Sequence, residues 1–193
     1  MKYYYSALDK IDTSVQYPAL DKFKVGNSIA FYHDIEKGIS MHYKDVDILY
    51  SEPPWVDGYL ITQKRAKTSK KDYLRFMIGI SRAIKLLRKP TIMVMGISHK
   101  KYLPETKTII PVDLNGYKAR AFVYNMKIDG LDFMDIDSLI KSLAKKYNRV
   151  GDFCCGYGNT GRIFYEAGKE FVMSDINRRC IGFIQKYYEN ILR

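Results

Sequence analysis

Glu52-Pro53-Pro54-Trp55 is a run of residue types that can orient an amine. Two successive prolines make a rigid, extended segment whose carbonyls can be aimed at a ligand without help from a sheet ladder. The aromatic ring next to them offers a face on which an unpaired base can stack, worth about 1–3 kcal/mol per base. The polar side chain just before the prolines supplies a hydrogen-bond acceptor. A carboxylate and a proline carbonyl can together hold both protons of an exocyclic amine, which turns the nitrogen lone pair toward an electrophile. Such chemistry is positioning and electrostatics, and it requires no covalent intermediate. Taken alone, Pro-Pro-Trp also reads as a strand-ending turn with Trp55 in the core. A second motif shifts the balance.

That motif is Asp152-Phe153-Cys154-Cys155-Gly156-Tyr157-Gly158-Asn159-Thr160-Gly161. Glycines between a strand and a helix permit a tight turn and close approach of the backbone to a ligand. Asp152, at the strand's end, can reach a ligand amine. Asp175, at the end of the next strand, occupies the position from which a carboxylate binds ribose hydroxyls. Gly156, Gly158 and Gly161 also satisfy G-x-G-x-x-G, so the loop by itself admits a dinucleotide. The sequence continues for only one more strand and helix, without a second nucleotide-binding half. The expectation is therefore against a dinucleotide, with the sheet completed by upstream segments.

The elements that must position these groups alternate between strand and helix. Residues 26–34 read as a buried strand after a Gly-Asn turn, ending near His33-Asp34, and residues 36–43 as a short helix or turn. Val46–Tyr50 reads as a strand stopped by the prolines, which cannot donate to a ladder. Asp72 can cap a helix over 73–88 whose apolar face is Leu74, Met77, Ile78, Ile80, Ile84 and Leu87. Thr91–Ile97 is a third buried strand. Residues 105–127 are expected to hold an antiparallel pair turning at Asn115-Gly116. Asp137 can cap a helix reaching about Tyr147. Strand Arg149–Cys154, a helix over 161–167, strand Glu170–Ser174 and a helix over 178–191 complete the pattern. It predicts a single-domain α/β sandwich over residues 1–193, with a mostly parallel sheet that includes an antiparallel strand. Both motifs then fall at C-terminal ends of strands, where open α/β sheets bind ligands.

Composition narrows the partners. The 193 residues are 47% apolar, enough for a real core, and carry a net charge of +11. That charge favours a polyanion through phosphate neutralisation and counterion release. It is bunched at 64–71, where Lys64, Arg65, Lys67, Lys70 and Lys71 form a basic loop close enough to Trp55 to grip phosphates around an extruded base. No apolar stretch reaches the ~18 residues of a membrane helix, and the N-terminus lacks a signal-peptide core, so a cytoplasmic protein with no membrane partner is expected. Cys154, Cys155 and Cys180 do not have metal-ligand spacing. His33 and His42 read as ordinary strand-end or surface residues, since orienting an amine by positioning needs no histidine base.

Together the two motifs resemble the S-adenosylmethionine-dependent amino-methyltransferases of DNA and RNA, in the circularly permuted order with the catalytic motif first. The family's Asp/Asn/Ser-Pro-Pro-aromatic motif is matched by Glu52-Pro53-Pro54-Trp55. Its Asp-Pro-Phe-x-Gly-x-Gly donor loop is similar to Asp152 through Gly158. The resemblance covers about residues 26–190 and implies a Rossmann-like methyltransferase sandwich. It implies S-adenosylmethionine as cofactor, held by Asp152, Cys154, Gly156, Gly158 and Asp175, with Asp34 near the adenine and the helix after residue 137 contacting the methionine part. It implies a nucleobase amine as acceptor, with N6 of adenine in DNA expected, and leaves open a homodimer or a partner subunit. Three departures stand out. Glu52 is one methylene longer than the usual residue, a change found in inactive partner subunits of related enzymes. Phe153 and Cys154 stand where Pro and Phe are usual. Little sequence is left for a target-recognition domain. The rival readings are an inactive nucleic-acid-binding subunit, and an enzyme acting on RNA or on a small-molecule or protein amine.

Overall fold

Neighbouring residues of the central strands enter two different cores. Ile48 and Tyr50 face one and Leu49 the other; Ile92 and Val94 face one, Met93 and Met95 the other; Phe171 and Met173 oppose Val172 in the same way. Strands buried on both faces in this fashion need a layer of chain above and another below. The structure, a computed structural model, describes residues 17–55, 73–114 and 116–192.

Eight strands make one sheet: β1 (Lys22–Val25), β2 (Ser28–Tyr32), β3 (Ile48–Ser51), β4 (Thr91–Met95), β5 (Thr108–Leu114), β6 (Tyr117–Tyr124), β7 (Arg149–Asp152) and β8 (Glu170–Asp175). Their order across the sheet is β1-β2-β8-β7-β3-β4-β6-β5. β2, β8, β7, β3 and β4 run parallel, and β5 runs with them; β1 and β6 are reversed. This is the mostly parallel α/β sandwich that the sequence predicts. Helices α2 (Ile136–Lys146), α3 (Asn159–Glu166) and α4 (Arg178–Ile191) supply one core, including Leu139, Ile140, Phe164, Ile181 and Tyr188. Helix α1 (Tyr73–Leu87) and the 3₁₀ turns Ile35–Lys37 and Met41–Asp45 supply the other, with Met77, Ile80, Ile84 and the fully buried Tyr43. None of the described helices is long and apolar enough to cross a membrane.

Several boundaries differ from the sequence reading. The cap of α2 is Asp135, whose carboxylate accepts the Ser138 N–H at 2.8 Å, rather than Asp137. Two aspartates two residues apart can each cap, and the one outside the first helical residue wins. Helix α3 begins at Asn159, ahead of Gly161. The apolar face of α1 is rotated: Phe76 and Ala83 are buried with Met77, Ile80 and Ile84, while Leu74 and Ile78 are 47% and 43% exposed. β1, too short and lysine-rich to stand out, pairs with β2 across the Gly26-Asn27 turn. β5 and β6 form the expected antiparallel pair, with Leu114 opposite Tyr117; Asn115 of the anticipated turn lies outside the described residues.

Candidate active site

From the seam between β7 and β3 the chain winds in opposite directions. β3 is followed through α1 by β4 on one side, and β7 is followed through α3 by β8 on the other. That reversal opens a crevice at the C-terminal ends of the strands. Both sequence motifs end at this seam. Ser51, the last residue of β3, donates its hydroxyl to Asp152 Oδ1 at the end of β7 at 2.6 Å, joining segments far apart in the chain. The tips that carry Glu52 and Gly156 therefore share one crevice.

Asp152 is buried and accepts three hydrogen bonds. Its Oδ1 also accepts the Cys154 N–H at 3.0 Å, and its Oδ2 accepts the Thr160 hydroxyl at 2.9 Å. Burial pushes its carboxyl up to about 6, against the pull of those three donors. Asp175 closes the other side of the loop. Its Oδ2 accepts the Gly156 N–H at 2.9 Å and its Oδ1 the Asn177 N–H at 2.8 Å. Burial raises its pKa despite these bonds. A carboxylate offers about four lone-pair sites, so Asp175 retains capacity for ligand hydroxyls. Gly156 and Gly158 have φ of +49° and +86°, a left-handed region costly for other residues. At Gly158 a Cβ would also lie 2.9 Å from Ile184 Cγ1.

Glu52 sits across the crevice. The Tyr50 hydroxyl donates to its Oε1 at 2.6 Å. Burial, with the negative charges of Asp152 and Asp137 adding to it, holds the carboxyl near 7 even though the Tyr50 bond pulls it down. The residue keeps some exposure, so it is recessed in an open crevice rather than sealed. Pro53 is buried, Pro54 and Trp55 are partly buried, and the Tyr73 hydroxyl donates to the Pro54 carbonyl at 3.3 Å. Asp34 lies on the neighbouring strand end, where the His33 N–H bonds the Asp175 carbonyl at 3.1 Å; its own carboxylate caps the Ile35–Lys37 turn through the Glu36 N–H. Cys154 is partly buried beside Asp152, and its thiol is pushed well up by burial. Lys64, Arg65, Lys67, Lys70 and Lys71 lie outside the described residues.

Four contributors were missed by the sequence reading. Tyr50 was recoverable, because residues i and i+2 of a strand share a face and so place its ring beside Glu52. Asp137 is no cap; it accepts the Asn159 amide at 3.1 Å and adds its charge near Glu52. Tyr43 donates from beneath the loop, with its oxygen 2.6 Å from Ser174 Oγ and 2.9 Å from the Asp152 carbonyl. His99 is buried against Trp55. For these last three only the folded chain supplies the signal. Among the described residues, no group of three or more His, Cys, Asp or Glu side chains is arranged to hold a metal.

No protein-family model and no curated protein sequence matches the chain. Solved structures do. The crystal structure of M1.HpyAVI superposes with a TM-score of 0.53 at 12% identity, over 82% of this chain and 97% of that one. The fold is that of M1.HpyAVI. The M1.HpyAVI–SAM complex agrees, with a TM-score of 0.52 at 14% identity over 81% and 96% of the two chains. At that identity M1.HpyAVI establishes the architecture alone, and the chemistry has to be argued from the residues of this chain.

Proposed function

We propose that the protein transfers a methyl group from S-adenosylmethionine to the exocyclic amine of a nucleobase, N6 of adenine in DNA. The observation that carries the reading is the Ser51–Asp152 hydrogen bond, which puts the Pro-Pro-Trp tip and the glycine loop in one crevice. The shared fold with a protein solved as a SAM complex supports the choice of donor.

The residues suit such a donor. Glu52, Asp137, Asp152 and Asp175 make the crevice acidic in a chain of net charge +11, which favours a ligand carrying an ammonium and a sulfonium. Asp175 and the loop around Gly156 and Gly158 would hold the nucleoside end, with Asp34 near the adenine. Asp152 would orient the amino-acid end from beneath the loop, with Cys154 packing there. When bound, S-adenosylmethionine supplies an electrophilic methyl group.

On the acceptor side, Trp55 stacks the base, and Glu52 and the Pro53 carbonyl each accept one amine proton, with Pro54 keeping the segment rigid. A carboxylate titrating near 7 is well matched to accepting the proton lost on methylation. Lys64, Arg65, Lys67, Lys70 and Lys71 would neutralise flanking phosphates. The reading treats residues 1–193 as one methyltransferase domain in which the catalytic motif precedes the donor loop.

The test is to incubate the protein with labelled donor and unmodified DNA, digest, and identify the methylated nucleoside. Glu52→Ala and Trp55→Ala should each abolish product, and Trp55→Ala should leave donor affinity intact; normal methylation by both variants overturns the assignment. One observation favours a second reading, a nucleic-acid-binding subunit without activity: Glu52 Oε1 is already taken by Tyr50 at 2.6 Å. That reading predicts DNA binding with no product until a partner is added.

A further inference from the structure

The 3₁₀ turn Ile97–Tyr102 follows β4 and brings His99 beside Trp55 of the Pro-Pro-Trp tip. Its side chains divide sharply. His99 turns inward and is 7% exposed, whereas Lys100 and Lys101 are exposed. At Gly96, which precedes the turn, a Cβ would lie 3.3 Å from His99 Nδ1, a tight contact with the ring. The His99 ring lies 6.0 Å from Trp55, 5.9 Å from Tyr73 and 6.3 Å from Tyr102, and Tyr73 and Tyr102 meet edge to face at 5.5 Å. Trp55, Tyr73 and Tyr102 are each only partly buried. The turn is pinned by the Ser81 hydroxyl, which donates to the Tyr102 carbonyl from α1. At the lip, the Lys101 ammonium stands 5.0 Å from the Tyr102 ring centroid.

Three half-open rings backed by a buried fourth, with cations beside them, suit a planar, aromatic, polyanionic partner better than an aliphatic amine or a peptide. We propose that this turn is a clamp for the acceptor strand: Tyr102, backed by the buried His99 ring, extends the stacking wall begun by Trp55 and Tyr73, and Lys100 and Lys101 hold the phosphates flanking one unpaired base of a DNA strand. The proposal rests on the methyl-transfer reading for its acceptor, yet it is testable by binding alone.

The experiment titrates a fluorescein-labelled, adenine-containing single-stranded DNA oligonucleotide, and a copy abasic at the adenine, across a salt series. Losing two phosphate contacts lowers the slope of log K against log salt by ~1.4 for a single strand. Lys100→Ala with Lys101→Ala should show that fall. Lys44→Ala with Lys145→Ala, on the opposite rim of the sheet, should keep the wild-type slope. Tyr102→Ala should cut the preference for the intact oligonucleotide over the abasic one roughly 5-fold, the scale of one weakened stack, and Tyr102→Phe should restore it by returning a ring. An unchanged slope in the Lys100/Lys101 variant, or an undiminished preference in Tyr102→Ala, overturns the clamp. Labelled-donor binding and product formation by the wild-type protein are read in parallel. Clamp-dependent DNA binding without product would sink the methyl-transfer reading and leave the clamp standing. Product on DNA with an unaltered slope would do the reverse.

Discussion

Replacing Glu52 by Gln isolates the energetic cost of the candidate site. The Glu52 carboxyl titrates near 7 in the folded protein, against an ordinary value of 4.5. Linkage fixes the sign. At high pH the folded protein carries a recessed charge that the unfolded chain keeps in water, so folding loses the whole difference, about 3 kcal/mol at 1.36 kcal/mol per pH unit. At low pH both states are neutral and the loss vanishes. The residue keeps some exposure, so solvent reduces the figure to roughly 2 kcal/mol. Gln is neutral throughout and retains an oxygen for the Tyr50 hydroxyl. In urea unfolding, Glu52→Gln should therefore exceed the wild type by roughly 2 kcal/mol near pH 8.5 and by less than about 1 kcal/mol near pH 5. A stability difference that does not move with pH, or a variant weaker throughout, would refute the argument that burial holds this carboxyl near 7. Gaining stability while losing methyl transfer is the signature of a site held in a costly state for function.

Tyr50→Phe removes the hydroxyl that pulls the Glu52 pKa down, so the acid limb of kcat/KM should move above pH 7; an unmoved limb means that the bond does not tune the carboxyl. Ser51→Ala leaves Asp152 one donor short and unlinks the two strand tips, which should cost about 1–2 kcal/mol in unfolding and weaken donor binding measured by calorimetry. Retention of both would show that the tips are held together by other means. Gly158→Ala forces a side chain into φ of +86° and against Ile184, and should lower stability by about 1–3 kcal/mol together with donor affinity. Full donor affinity in that variant would remove the loop from the binding site.

The sequence revealed the strand ends because prolines and glycines stop a ladder for reasons local to the chain. Pro53 cannot donate, and Gly156 supplies a positive φ. Their convergence was legible too, since parallel strands place every motif that follows a strand on the same rim. What lay beyond the sequence were partners set by packing between layers. Asp137 and Asp135 are equivalent as text, and only the start of α2 decides which one caps and which one turns toward Asn159. Tyr43 is one tyrosine among 17, and nothing local marks it as the one buried under the glycine loop. His99 carries no motif or spacing that marks it in the sequence; its place is beside Trp55, in a wall assembled from the segment after β3, α1 and the turn after β4.

The distribution of charge ties these pieces together. A chain of net charge +11 concentrates four carboxylates at the crevice and leaves Lys100 and Lys101 exposed at its lip. On the proposed reading, opposite signs would attract different ligands: a compact cation would be drawn into the acidic crevice, and a polyanion would be held outside it. A phosphate entering the crevice would meet Glu52 and Asp152, whereas an uncharged base would meet rings. Salt should therefore weaken the strand's binding far more than the donor's, because rim charges are screened within about 8–10 Å at ordinary ionic strength while recessed ones are screened much less. The clustering carries its own cost, since the charges of Asp152 and Asp137 add to burial in raising the pKa of Glu52, and that of Asp175 does the same to Asp152. A cationic donor would relieve that repulsion on binding, so protons should leave Glu52 and Asp152 as the donor enters, and the measured binding enthalpy should depend on the ionisation enthalpy of the buffer.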